Sequence, residues 1–94
     1  VVFVFVVEIT KYLKTPTEEL RKRHLDYLTE CEKQGKLLLA GRFHDAEGAM
    51  IIWLTSSLEE AKALAEKDPY ARENCISYTL REWHITIGRI TQSH

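Results

Sequence analysis

The chain carries four histidines, and one of them, His24, sits where a helix would hold an imidazole out of water. It lies in the run Leu20, His24, Tyr27, Leu28, Cys31, whose spacings place all five residues on one helical stripe. Two readings stay open for it: a buried neutral histidine hydrogen-bonded to a neighbour, or a general acid/base on a helix face. Asp68 is the second residue of this kind. Counted at roughly 100° per residue from Leu58, position 68 falls near the azimuth of Ala61 and Ala65, so an apolar face runs into a carboxylate. Asp before Pro is also a frequent helix cap, and capping does not exclude a second role.

If the two predicted helices lie side by side and run parallel, the pair comes within reach. His24 is about eight residues into the first helix and Asp68 about eleven past the start of the second, which at about 1.5 Å per residue leaves them within about 5 Å in height. A carboxylate there would orient the ring and fix its tautomer, the arrangement of a tuned acid or base. Neither Ser77 nor Cys75 is placed beside His24 by the sequence, so no nucleophilic triad is expected. The remaining histidines are His44 near a hairpin, His84 on the last strand and His94 in the tail. None falls in an HxH, HExxH or CxxC spacing, so no metal site is expected. No glycine-rich phosphate loop occurs. Arg42 and His44, near a strand end, read either as an anion contact or as solvated surface. Trp53 and Trp83 read as core or interface residues.

The elements that must position these residues follow from periodicity. Val1 to about Ile9 is β-branched and aromatic, a strand with apolar residues on both faces. Its first seven residues are too few for a membrane span, which needs about 20, and they lack the basic and small-residue flanks of a signal peptide. Thr15 is the expected N-cap of the first helix, with Pro16 at its first position and Glu18 completing a capping box. Gly35 supplies the stop, with Lys33 in the last turn. Lys36 to about Phe43 and Ala49 to Leu54 form a hairpin around His44–Gly48. Ser57 and Glu60 start a second helix that buries Leu58, Ala61, Leu64 and Ala65. Asp68-Pro69 breaks it, with Asp68 capping a further short turn that carries Tyr70. Ile76 to about Arg89 is the last strand, with Trp83 and His84 in its middle.

Strand, helix, strand, strand, helix, strand predicts an α+β, ferredoxin-like βαββαβ fold, a four-stranded antiparallel sheet with both helices on one face. Ninety-four residues suit one domain, expected over 1–90 with a polar tail at 91–94. The other sheet face needs a cover, because both Ile76, Tyr78, Leu80 and Trp83, Ile85, Ile87 are apolar sets. A homodimer packed through that open face, a dimeric α/β barrel, is expected. Thirteen basic against fourteen acidic residues give a net charge of −1. The one basic cluster, Arg21-Lys22-Arg23, reads as a solvated helix face, so no nucleic-acid partner is expected, and no membrane. Cys31 and Cys75 form no CxxC pair and read as free thiols of a reduced, cytoplasmic protein.

The chain resembles the YciI-like (YCII-related) family. The matching pieces are Arg23-His24-Leu25-Asp26-Tyr27-Leu28, Gly35-Lys36-Leu37-Leu38-Leu39-Ala40-Gly41, the helix Leu58-Glu59-Glu60-Ala61-Lys62-Ala63-Leu64-Ala65, and Asp68-Pro69-Tyr70. The resemblance implies a ferredoxin-like dimeric α/β barrel with a His–Asp pair in a cleft, here His24 and Asp68 as catalytic residues. Gly41, Arg42, His44 and Tyr70 are the substrate contacts expected around them. Family members often carry Ala-Gly-Pro where this chain has Ala40-Gly41-Arg42, so Arg42 and His44 are expected to make the rim more cationic. The expected function is a small cofactor-free enzyme, His24 acting as acid/base on a small anionic or carbonyl-bearing molecule. The alternative is a non-catalytic dimeric module that binds a small ligand unchanged. Kinship to monooxygenases or muconolactone isomerases of the same barrel rests on fold analogy alone.

Overall fold

The computed structural model describes residues 2–45 and 47–89. The elements run β1 (Val2–Tyr12), α1 (Glu18–Lys33), β2 (Leu37–Arg42), β3 (Ala49–Trp53), α2 (Leu58–Lys67), α3 (Pro69–Arg72) and β4 (Ile76–Ile85). The strands lie in the order β2-β3-β1-β4 and every neighbouring pair is antiparallel. This is the ferredoxin-like arrangement, with the short α3 added after α2. The tail at 91–94 lies outside the described residues.

The main core lies between the sheet and the helices. Phe5, Val7, Ile9, Ile51 and Trp53 meet Leu20, Leu28, Cys31, Ala61 and Ala65, with Tyr70 of α3 in the same cluster. Tyr27 braces the helices by donating its O–H to the Leu64 carbonyl at 2.6 Å. Because β3 runs against β1, the helix returning from each strand points the opposite way. α1 and α2 are therefore antiparallel, not parallel as expected. His24 and Asp68 meet by another route: Asp68 stands at the junction of α2 and α3, and α3 packs on α1.

Several boundaries moved, each for a local reason. The N-cap of α1 is Thr17, not Thr15: Thr17 is extended and its Oγ1 accepts from Leu20 N–H at 3.0 Å. Pro16 thus precedes the cap. Gly35 does end the helix at φ 77°, with Lys36 N–H reaching the Cys31 carbonyl and Gly35 N–H the Glu32 carbonyl. That pair of bonds is a Schellman motif, and it requires the left-handed residue. β1 runs three residues past Ile9 because a bulge between Ile9 and Lys11 lets it keep pairing with β4. The bulge also turns Tyr12 onto the core face, where it packs against the main cluster. Leu58 was expected inside but is 43% exposed, since it opens the first turn of α2 ahead of the buried Ala61. β4 ends at Ile85, which leaves Trp83 near its end and 50% exposed.

The second sheet face carries its own small cluster of Val4, Val6, Ile52 and Ile85. Partly buried Leu38, Met50 and Leu54 pack over it, so these four are already shielded within one chain. Trp83, which pairs with Val4, is half exposed on this side, and Ile87 beyond the end of β4 is also exposed. Among the described residues, no helix is long and apolar enough to cross a membrane.

Candidate active site

Two adjacent elements deliver the central pair. α1 buries His24 in its apolar stripe, leaving it 8% exposed. The Asp68-Pro69 break ends α2 and starts α3, and there Asp68 is 2% exposed. His24 Nδ1 lies 2.7 Å from Asp68 Oδ1. The same oxygen accepts the Tyr70 backbone N–H at 3.0 Å, so Asp68 caps α3 and holds the imidazole at once. A carboxylate only accepts, so Nδ1 carries the proton in this contact and Nε2 is the basic nitrogen of the neutral ring.

Tyr70 fixes the ring from a third side. Its phenol and the imidazole are stacked, centroids 3.8 Å apart and planes within 3°. Tyr12, brought round by the bulge, meets Tyr70 edge to face at 6.2 Å. The imidazole thus has a carboxylate at one edge and an aromatic face against its plane.

These groups line a cavity of about 230 Å³ between α1, α3 and the ends of β1, β2 and β3. His24 and Tyr70 line one side, Gly41 and Arg42 another, and Tyr12 and Arg21 also reach it. Among the described residues, Trp53 Nε1 is the one sealed side-chain nitrogen or oxygen without a hydrogen-bond partner. His24 Nε2 makes no such bond either and is not sealed, and His24 is among the residues that line the cavity. Burial pushes the Tyr12 and Tyr70 phenols above their ordinary range, while Arg42 and Arg21 respectively pull them back. Both remain O–H donors at neutral pH.

Of the expected contacts, the structure brings Gly41, Arg42 and Tyr70 to the cavity beside His24. His44 is exposed in the β2–β3 turn and is not part of the lining. Sequence reasoning missed Tyr12 and Arg21. Arg21 was read as part of a solvated run, although it stands three residues before His24, a spacing that shares a helix face. Cys75 donates to the Lys14 carbonyl at 3.3 Å, and burial pushes its thiol and that of Cys31 upward, so neither is an activated nucleophile. Among the described residues, no three His, Cys, Asp or Glu side chains gather as a metal site.

The sequence matches the YCII-related domain over residues 1–84. The chain belongs to that family. It is 29% identical over 62 residues to YjpA, an uncharacterised protein of Bacillus subtilis strain 168, covering 66% of this chain and 73% of the relative. Among solved structures it superposes on 5-chloro-2-hydroxyhydroquinone dehydrochlorinase of Burkholderia phenoliruptrix AC1100, in complex with 2,5-dihydroxybenzoquinone, with a TM-score of 0.61. That alignment covers 86% of this chain and 93% of the other at 20% identity, a likeness of fold.

Proposed function

We propose that this YCII-related protein is a small acid/base enzyme whose proton-transferring atom is His24 Nε2. The observation that carries the reading is the division of labour on one imidazole: Nδ1 is held by buried Asp68, and Nε2 is left free on a ring that lines a cavity. In this reading Nε2 takes a proton from a carbon or hydroxyl beside a carbonyl of the bound molecule. The imidazolium rests against Asp68 and the Tyr70 ring, then returns the proton at a second position or to a leaving group. Asp68 is a positioning residue. The dehydrochlorinase shows that a protein of this fold is an enzyme, which supports the reading by analogy.

Two chains are proposed to pack through their second sheet faces and close a barrel, with Trp83 and the groove it shares with Val6 and Met50 at the join. The two buried unpaired thiols support a reducing, cytoplasmic setting.

The test is conversion of small carbonyl and phenolic metabolites followed by NMR, on the wild type and His24→Asn. The expected result is a substrate whose turnover falls about 10²-fold or more in the variant, at unchanged fold. Equal turnover by folded His24→Asn contradicts the assignment. Binding without any chemical change supports the ligand-module alternative instead.

A further inference from the structure

The cavity beside His24 has a charge pattern that the acid/base reading leaves unused. Two guanidinium groups reach it, Arg21 from α1 and Arg42 from β2. Among the described residues neither is in an ion pair; the carboxylates that are paired hold Lys22, Lys36, Arg81, His84 and His24. Among the described residues no Asp or Glu lines the cavity; the nearby Glu47 carboxylate accepts the Tyr12 backbone N–H at 2.7 Å. Asp68 lies behind the imidazole, its Oδ1 taken by His24 and the Tyr70 N–H. Both arginines are exposed side chains; guanidinium groups beside a cavity whose lining holds no carboxylate attract an anion, and guanidinium matches a planar two-oxygen anion best.

The rest of the lining describes the body of that anion. Ile9, Leu28 and Ile51 are apolar, and Tyr12 and Tyr70 present aromatic surface and a phenol each. The volume of about 230 Å³ lies below the usual range for drug-sized ligands, which suits a molecule of about one ring.

Resting on the proposed function for the place of the site, we infer that the cavity selects a small planar monocyclic anion, with Arg42 and Arg21 as the residues that read its charge. Arg42 sits on β2 opposite Ala49, at the sheet edge of the cavity, so it reaches the ligand from the side away from α1. Arg21 reaches it from the helix side. The two guanidinium groups thus bracket a ligand whose ring lies against the apolar wall and whose reacting atom meets His24 Nε2.

The test is direct binding, which needs no turnover. Benzoate and its neutral isostere benzamide are titrated into the protein by calorimetry and by NMR of the His24 and Tyr70 ring signals. Benzoate is expected to saturate these signals and to bind about tenfold or more tighter than benzamide. Arg42→Met and Arg21→Met should each weaken benzoate about tenfold and leave benzamide unchanged, with melting temperatures as in the wild type. Arg81→Met, on the other side of the sheet, should change nothing. Equal binding of the two probes, no saturable benzoate binding, or full benzoate affinity in both arginine variants overturns the inference. His24→Asn separates this outcome from the first: retained turnover sinks the acid/base reading, while retained anion selectivity leaves the present one standing.

Discussion

At the scale of single residues, Asp68 does the most with one side chain. One carboxylate oxygen caps α3 and holds His24 Nδ1. The two roles separate by substitution. Asp68→Asn keeps an oxygen that can cap, so its folding stability should fall by well under the loss in Asp68→Ala, which is about 1–2 kcal/mol from the cap alone. Denaturant titration of the two variants measures the difference, and equal losses would show that the cap contributes nothing. Both residues were legible in the sequence because each is a polar group at an apolar azimuth. Arg21 and Tyr12 were not. Arg21 is camouflaged by Lys22 and Arg23, and Tyr12 faces the core because a backbone irregularity shifts the pleat by one residue. No residue type announces that bulge.

At the scale of elements, the sequence was sound where a side chain makes its own local bond and weaker where tertiary contact decides. Ser57 caps α2 by accepting Glu60 N–H at 3.1 Å, as its spacing predicted. Thr15 and Thr17 offer the same chemistry two residues apart, and which one caps depends on the start of the Leu20–Cys31 stripe against the sheet. Gly48 shows the tertiary limit: at φ 114° a Cβ there would stand 2.3 Å from the Ile9 carbonyl oxygen, so β1 itself demands glycine. The contact between α1 and α2 also has a pH signature. Burial, then the neighbouring Cys31, pushes the Tyr27 phenol well above its ordinary value. A folded-state value above the unfolded one, near 10, contributes stability that is whole below about pH 10 and lost as pH rises beyond it. Tyr27→Phe removes the O–H bond to Leu64, so it should be about 0.5–1.5 kcal/mol less stable than the wild type at neutral pH. That gap should narrow above about pH 10, as the wild type alone loses the Tyr27 contribution. A gap that stays constant across urea melts at pH 7 to 11 would contradict it.

At the scale of the whole molecule, element order was enough to give the sheet and its topology, because right-handed crossovers leave few alternatives. It also misled once: the helices oppose one another, and His24 reaches Asp68 through α3 rather than along a parallel neighbour. The dimer remains a proposal of this scale. The chain shields Val4, Val6, Ile52 and Ile85 by itself, so the join would depend on the exposed rim, and Trp83 is its largest member. Light scattering after size exclusion should give twice the chain mass for the wild type and the single mass for Trp83→Lys. A monomeric wild type would leave the second face as a self-covered surface.

The proposed chemistry of His24 depends on which of its nitrogens is free, and nitrogen-15 NMR of the imidazole reads that without a substrate. The predicted result is a neutral ring protonated on Nδ1 with Nε2 bare, changing when Asp68→Asn removes the carboxylate. A proton resident on Nε2 of the neutral ring, in wild type and variant alike, would contradict the account.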